Sequence, residues 1–275
     1  MVILDDIDSR SGSTVSLLRT FVGLYLRQIG GWIAVADLVA LMQEIGVTSA
    51  AARNGIATLK QKKLLLPERR EAIGYRLNPA AIPMLERGDR RIFNLYQMGE
   101  DDKWALISFS VAESERAKRY QLRKRLQWLG CGTVAPGLWI TPEHLLEEVK
   151  LVLKQHDTEA VIFMTDDPEV PGGFANSVEK WWDLQTIRDS YDNFLAHQNL
   201  VFGQYLSEAD SFGVYLQIVD RWRPIPYLDP GLPTRLLPED WPGATAFNIF
   251  TTCVDALQKR ASLHVLSTAQ RSPNC

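Results

Sequence analysis

Between Thr48 and Leu77 the chain reads TSAAARNGIATLKQKKLLLPERREAIGYRL, a stretch whose side chains could hydrogen-bond to nucleic acid. Ala52, Ile56 and Leu59 recur at i, i+4 and i+7, the mark of a helix with one buried side. Ser49, Arg53, Asn54 and Lys60 fall on another side, and Thr48 is placed to cap the helix. Near the amino end of such a helix, Ser49, Arg53 and Asn54 would face base edges, while Lys60, Arg69, Arg70 and Arg76 would hold phosphates. With Lys62 and Lys63 the stretch has seven basic side chains against Glu68 and Glu71, a local net of +5 in a chain whose net is −3. A solvated helix face is the plain alternative. A basic island in an acidic protein favours a phosphate-bearing partner, double-stranded DNA.

Catalytic patterns are weak by comparison. His144, His156, His197 and His264 form no HxH or HExxH spacing, and the chain has no GxSxG, no phosphate loop and no GxGxxG. Cys131, Cys253 and Cys275 are odd in number and far apart, which suggests neither a disulfide framework nor a thiolate metal site. The expectation is a protein that is not an enzyme and carries no catalytic residue, no metal and no cofactor.

The elements needed to position the basic stretch are present in order. Leu18, Phe21, Val22 and Tyr25 mark a helix over 13–28, in which Gly23 suggests close approach of another backbone. Gly30 and Gly31 stop it, and Trp32 to Val35 is a short strand. Leu38, Leu41, Met42 and Ile45 give a second helix, Gly46-Val47 a tight turn, and residues after Lys63 a hairpin with Ala72-Ile73-Gly74 at its tip. Helix, strand, helix, turn, helix and hairpin is the order of a winged helix-turn-helix.

Asn78-Pro79, Pro83 and the charged run Glu86 to Arg91 read as punctuation, with a boundary near residue 90. Strands are expected over 104–111, 132–135, 138–141 and 159–165, with helices over 113–129 and 142–156. This βαββαβ order is the ferredoxin-like arrangement. Residues 166–173 form a linker. The remainder reads as helical, with helices at Trp181-Trp182, Tyr191 to Leu206, Phe212 to Trp222 and Ala246 to Leu266, interrupted by the proline-rich run Arg221 to Gly243. The fold class is therefore α+β, divided into 1–90, 91–168 and 169–275, with dimerisation assigned to the middle domain and effector binding to the last.

Residues 1–130 carry 20 basic and 14 acidic side chains, net +6, whereas 131–275 carry 10 and 19, net −9. A phosphate-attracting half joined to a phosphate-repelling one suits a regulator. The amino terminus, MVILDDIDSR, lacks the pattern of a signal peptide, and no apolar run approaches a membrane span, so a cytoplasmic location without a membrane partner is expected.

Four segments, SLLRTFVGLYLRQIGGWI at 16–33, the helix after Thr48, LRKRLQWLGCGTVAPGLWITP at 122–142 and DPGLPTRLLPEDWPG at 229–243, resemble the PaaX family of bacterial repressors of phenylacetate catabolism. The resemblance implies the three-part architecture above, a homodimer, an inverted-repeat operator and phenylacetyl-coenzyme A or a related acyl-CoA as inducer. This chain departs from the family in its wing, which is less basic and aromatic. A coenzyme A ligand needs basic groups in an acidic half, which singles out Arg221 and Arg223, with Arg235 nearby and Trp222 and Trp241 beside them for the acyl end. The run Arg116, Lys118, Arg119, Arg123, Lys124, Arg125 is a second cluster, open to a solvated face, DNA backbone or an acidic effector. The middle domain also resembles small CRISPR-associated endoribonucleases, which gives the alternative of a metal-dependent nuclease or RNA-processing protein. Those place a metal-binding aspartate at the end of the first strand, where this chain has Phe109-Ser110-Val111.

Overall fold

The computed structural model describes residues 10–166, 168–197 and 206–269. The amino-terminal stretch, the second half of the helix expected over 191–206 and Cys275 lie outside them. Helices and two antiparallel sheets make an α+β chain. The chain divides into two units, one holding the described residues of 1–93, 194–223 and 245–275, the other those of 94–193 and 224–244. The stretch expected as one helical domain, 169–275, is thus shared between them. Among the described residues no helix is long and apolar enough to cross a membrane.

In the first unit Ser13 caps α1 (Thr14–Phe21) by accepting from the Ser16 N–H at 3.3 Å. The helix continues as one π turn, Val22–Leu26. Gly30 and Gly31, at φ 83° and 76°, end it. Next come β1 (Trp32–Ala34) and α2 (Val35–Glu44), then Gly46 at φ 82°, where the Val47 N–H reaches the Met42 carbonyl at 3.0 Å and closes the turn. The helix α3 (Ser49–Gln61) follows, then β2 (Leu65–Arg69) and β3 (Ile73–Leu77), with sheet order β1-β3-β2.

The glycine that permits close packing is Gly55 on α3. A Cβ there would stand 2.4 Å from Leu18 Cδ1 and 3.2 Å from Thr14 Cγ2, so α1 and α3 touch where only hydrogen fits. Gly23, expected in that role, would meet only Leu85 at 3.9 Å. The hairpin turn is also displaced from its expected place. Arg70 N–H bonds to the Ala72 carbonyl at 3.1 Å, while Ile73 and Gly74 already belong to β3. Gly74 is held there by Trp32, whose ring would lie 2.4 Å from an added Cβ.

The charged run expected as punctuation forms α4 (Ile82–Phe93), with Met84, Leu85, Gly88, Arg91 and Ile92 on its buried side. Pro79 and Pro83 sit in first turns, where no backbone donor is needed. Two later helices complete this unit. In α9 (Glu208–Trp222) Phe212 packs edge-on to Phe21, and Phe250 of α11 (Gly243–Ala269) lies 5.9 Å from Phe93. Cys253 is buried, and burial pushes its thiol pKa up.

The second unit is built on β4 (Trp104–Ser108), α5 (Arg116–Trp128), β5 (Gly132–Ala135), β6 (Leu138–Pro142), α6 (Leu146–Gln155) and β7 (Val161–Thr165). Its sheet runs β5-β6-β4-β7, every neighbour antiparallel. Ala105 and Ile107 face a core made with Leu122, Leu126, Trp139 and Val149. The helices α7 (Ala175–Trp181) and α8 (Leu184–Ala196) follow, then the short α10 (Ile225–Leu228). Trp182 donates to the Gly130 carbonyl at 2.8 Å and lies where a Gly132 Cβ would be 2.7 Å away.

The Asp229-Pro230-Gly231 motif is a structural lock. Asp229 accepts from the Tyr191 hydroxyl at 2.7 Å and the Gly231 N–H at 2.8 Å. Gly231, at φ 71°, accepts from the Met98 N–H at 2.9 Å. Burial and the Asp229 charge hold the Tyr191 hydroxyl well above its usual pKa, so it remains a donor.

Candidate nucleic-acid interface

Thr48 caps α3 as its sequence position suggests, accepting from the Ala51 N–H at 3.2 Å. Ala52, Gly55, Ile56 and Leu59 are buried, which fixes the helix by one side and leaves the other to solvent. Arg53, Asn54 and Lys60 are exposed on that outer side, and Ser49 is half-buried at its first turn. Ala50 and Ala57, also exposed, flank the polar pair. The result is a low surface from which only Arg53 and Asn54 project at mid-helix. The α3 sequence contains no acid, and among the described residues Arg53 and Lys60 have no ion-pair partner. Such a helix can offer a guanidinium and an amide to base edges without first breaking an internal bond.

The hairpin is differently disposed. Arg69 is exposed, but Arg70 and Arg76 share one carboxylate, Glu68, at 2.7 and 3.1 Å. Trp32 supports them, donating its indole N–H to the Glu68 carbonyl at 3.1 Å while the Arg70 guanidinium lies 5.2 Å from its ring centre. Two of the three hairpin arginines expected on phosphates are therefore partly neutralised. Glu68→Gln removes that competition. We expect tighter binding to any DNA duplex, with the slope of log affinity against log salt steeper by up to about one or two charges. Titrations across salt concentrations check this, and an unchanged slope would place the hairpin away from the phosphates.

Of the residues expected at an effector, Trp222 and Arg223 are not offered to solvent. Trp222 is 0% exposed, stacked on Phe250 with ring centres 4.7 Å apart, and its indole N–H donates to the Ile92 carbonyl at 2.8 Å. Arg223 is 5% exposed and donates to the Ser16 hydroxyl at 2.8 Å beside buried Asp220. Both serve the core, because large aromatics and paired arginines satisfy a helix interface as well as a ligand pocket. Trp241 is half-buried against Tyr191, with the Arg188 guanidinium 5.7 Å from its ring centre. Arg235 is exposed.

Arg221 has a place that its sequence neighbours did not suggest. Half-buried on α9, it lines a cleft of about 440 Å³ with Thr14, Thr48 and Ala51 at the start of α3. Trp32, Gly55 and this placement of Arg221 are features of the candidate interface that helical spacing alone misses. Past the end of β4, where the nuclease alternative needs an acid, the chain has Ser110, which lines a cleft that Arg119 and Arg123 also line. No group of three or more His, Cys, Asp or Glu able to hold a metal occurs among the described residues.

Comparison with known proteins matches three family descriptions in chain order. PaaX-like protein covers residues 13–81, PaaX protein central Cas2-like domain 97–176, and PaaX-like protein C-terminal domain 182–267. The transcriptional repressor PaaX of Escherichia coli (strain K12) is 25% identical over 265 residues, a span of 90% of this chain and 81% of that protein. Among solved structures, an uncharacterized protein from Mycobacterium tuberculosis superposes with a TM-score of 0.58 at 20% identity, covering 90% of this chain and 98% of the other. That likeness concerns the fold alone.

Proposed function

The chain belongs to the PaaX family, and from that membership we propose that it is a DNA-binding transcriptional repressor of an operon for aromatic or acyl-acid catabolism. The observation that carries the reading is the exposed side of α3, where Arg53 and Asn54 project from an acid-free helix anchored by a fully packed opposite side. We read α2, the Gly46 turn and α3 as the helix-turn-helix, and the β1-β3-β2 sheet as the wing. The strand order β5-β6-β4-β7 is what a ferredoxin-like domain has.

The repressor acts as a homodimer on an inverted repeat, because one such helix buries little surface and a pair supplies both affinity and spacing. The second unit offers a surface for this. Val161 and Phe163 on the edge strand β7 are 58% and 57% exposed, directly across from Ser108 and Leu106. Such an apolar edge is costly in water unless a second copy covers it. An acyl-CoA such as phenylacetyl-CoA, rather than the free acid, releases the DNA. To do so it must bind the DNA-incompetent dimer more tightly than the competent one.

Sedimentation of the full chain with a duplex from its own promoter region tests the reading. Two chains per duplex are expected, with Phe163→Asp yielding monomers that bind more weakly. A monomer both free and bound would remove the dimer. No shift of the duplex at any protein concentration would remove the repressor.

A further inference from the structure

In the second unit a cleft of about 1200 Å³ opens where β4 runs out. Its apolar side holds half-buried Phe109, backed by the core residue Trp139, with ring centres 6.4 Å apart and planes 7° from parallel. Val134 and Leu138 extend that side. The same cleft is lined by Arg119 and Arg123, one helical turn apart on α5, both exposed and without an ion-pair partner among the described residues. Glu159 is the acid in the lining, so the basic groups outnumber it.

The walls are set in place by the backbone. Gly137 adopts φ 82° and accepts from the Phe109 N–H at 3.0 Å, and a Cβ on it would lie 2.8 Å from the Phe109 carbonyl oxygen. The β5–β6 hairpin is thereby tied to the end of β4, and only glycine fits at the tie. The ladder between those strands is irregular from Thr133 to Ala135, which re-aims Val134 at the cleft. A merely solvated basic helix needs neither the stacked rings nor the tied hairpin.

We infer that this cleft is the effector site, and that its ligand joins an apolar acyl or aryl group to a phosphate-bearing head. Guanidinium pairs recognise phosphate oxygens through paired hydrogen bonds, and Phe109, Val134 and Leu138 take the apolar end. The volume argues for a large ligand, since pockets for drug-sized molecules are about 300 to 1,000 Å³ and a free aromatic acid would leave most of this one wet. The alternative cluster around Trp222 and Arg223 is closed by its own protein partners. The regulatory meaning of the site rests on the repressor reading above, whereas ligand binding does not.

The test is calorimetric titration of the full chain with phenylacetyl-CoA, coenzyme A and phenylacetate, with affinity for a promoter duplex measured beside it. Phenylacetyl-CoA should bind the wild type more tightly than either fragment. Arg119→Ala with Arg123→Ala should weaken it about 100-fold, roughly tenfold for each charge-assisted contact, and Val134→Trp should weaken it at least about tenfold by filling the apolar side. Unchanged thioester affinity in both variants, or no thioester binding to the wild type, overturns the proposal. So does loss of duplex affinity in the arginine variant without ligand, which would assign the pair to DNA. A chain that binds the thioester with these losses but never binds duplex would sink the repressor reading and leave the cleft assignment standing.

Discussion

Arg53→Ala should lose specific DNA binding by about 1 to 3 kcal/mol and accept a wider range of sequences, while its folding stability stays within about 0.5 kcal/mol of the parent. The separation of the two effects follows from its surroundings. Arg53 is exposed, makes no ion pair among the described residues, and sits on the side of α3 away from Ala52, Gly55, Ile56 and Leu59. Truncation removes no packing. Binding-site selection with both proteins, followed by titration of the selected duplexes, measures the result. An unchanged preferred site and an unchanged affinity would mean that α3 does not read bases.

Asp220→Ala should cost about 3 to 5 kcal/mol of stability, the largest single loss expected here. Asp220 is 0% exposed, and its carboxylate accepts from the Gly12 N–H at 2.7 Å, the Ser16 hydroxyl at 2.6 Å and the Thr20 hydroxyl at 2.8 Å. Arg223 lies 3.7 Å from the same carboxylate and donates to Ser16. Alanine would strand two buried hydroxyl donors, Ser16 and Thr20, and one buried cation, a far greater penalty than loss of a surface pair. The node ties α9 to α1, and α1 packs on α3 through Gly55, so loss of the node should also loosen α3. Urea unfolding of the two proteins is the check. A loss below about 1 kcal/mol would mean that water reaches the carboxylate.

Much of this arrangement was legible in the residues. Thr48 as cap, Ala52, Ile56 and Leu59 as the inner side of α3, and the short strands of the second unit follow from local spacing, because caps and periodicity are set within a few residues. What was illegible depended on partners distant in sequence. The helix α4 was hidden because Gly88 and Arg91 occupy its buried side, where apolar residues would have shown the period. Gly55 looked unremarkable beside Gly23, since only the packed pair reveals which glycine meets the side chains of a neighbouring helix. Trp222 and Arg223 suggested a ligand, yet core and pocket draw on the same side chains. The neutralisation of Arg70 and Arg76 by Glu68 required the hairpin register, in which Glu68 pairs with Gly74 and Leu66 with Arg76.

The central claim, sequence-specific DNA binding through α3, is tested most directly by competition titration at about 150 mM salt. The full chain is offered a duplex from its own promoter region and a shuffled duplex of the same length and composition. A preference of about a thousandfold or more for the promoter duplex is expected, falling steeply in Arg53→Ala. Equal affinity for the two duplexes, unchanged by that substitution, would contradict the claim.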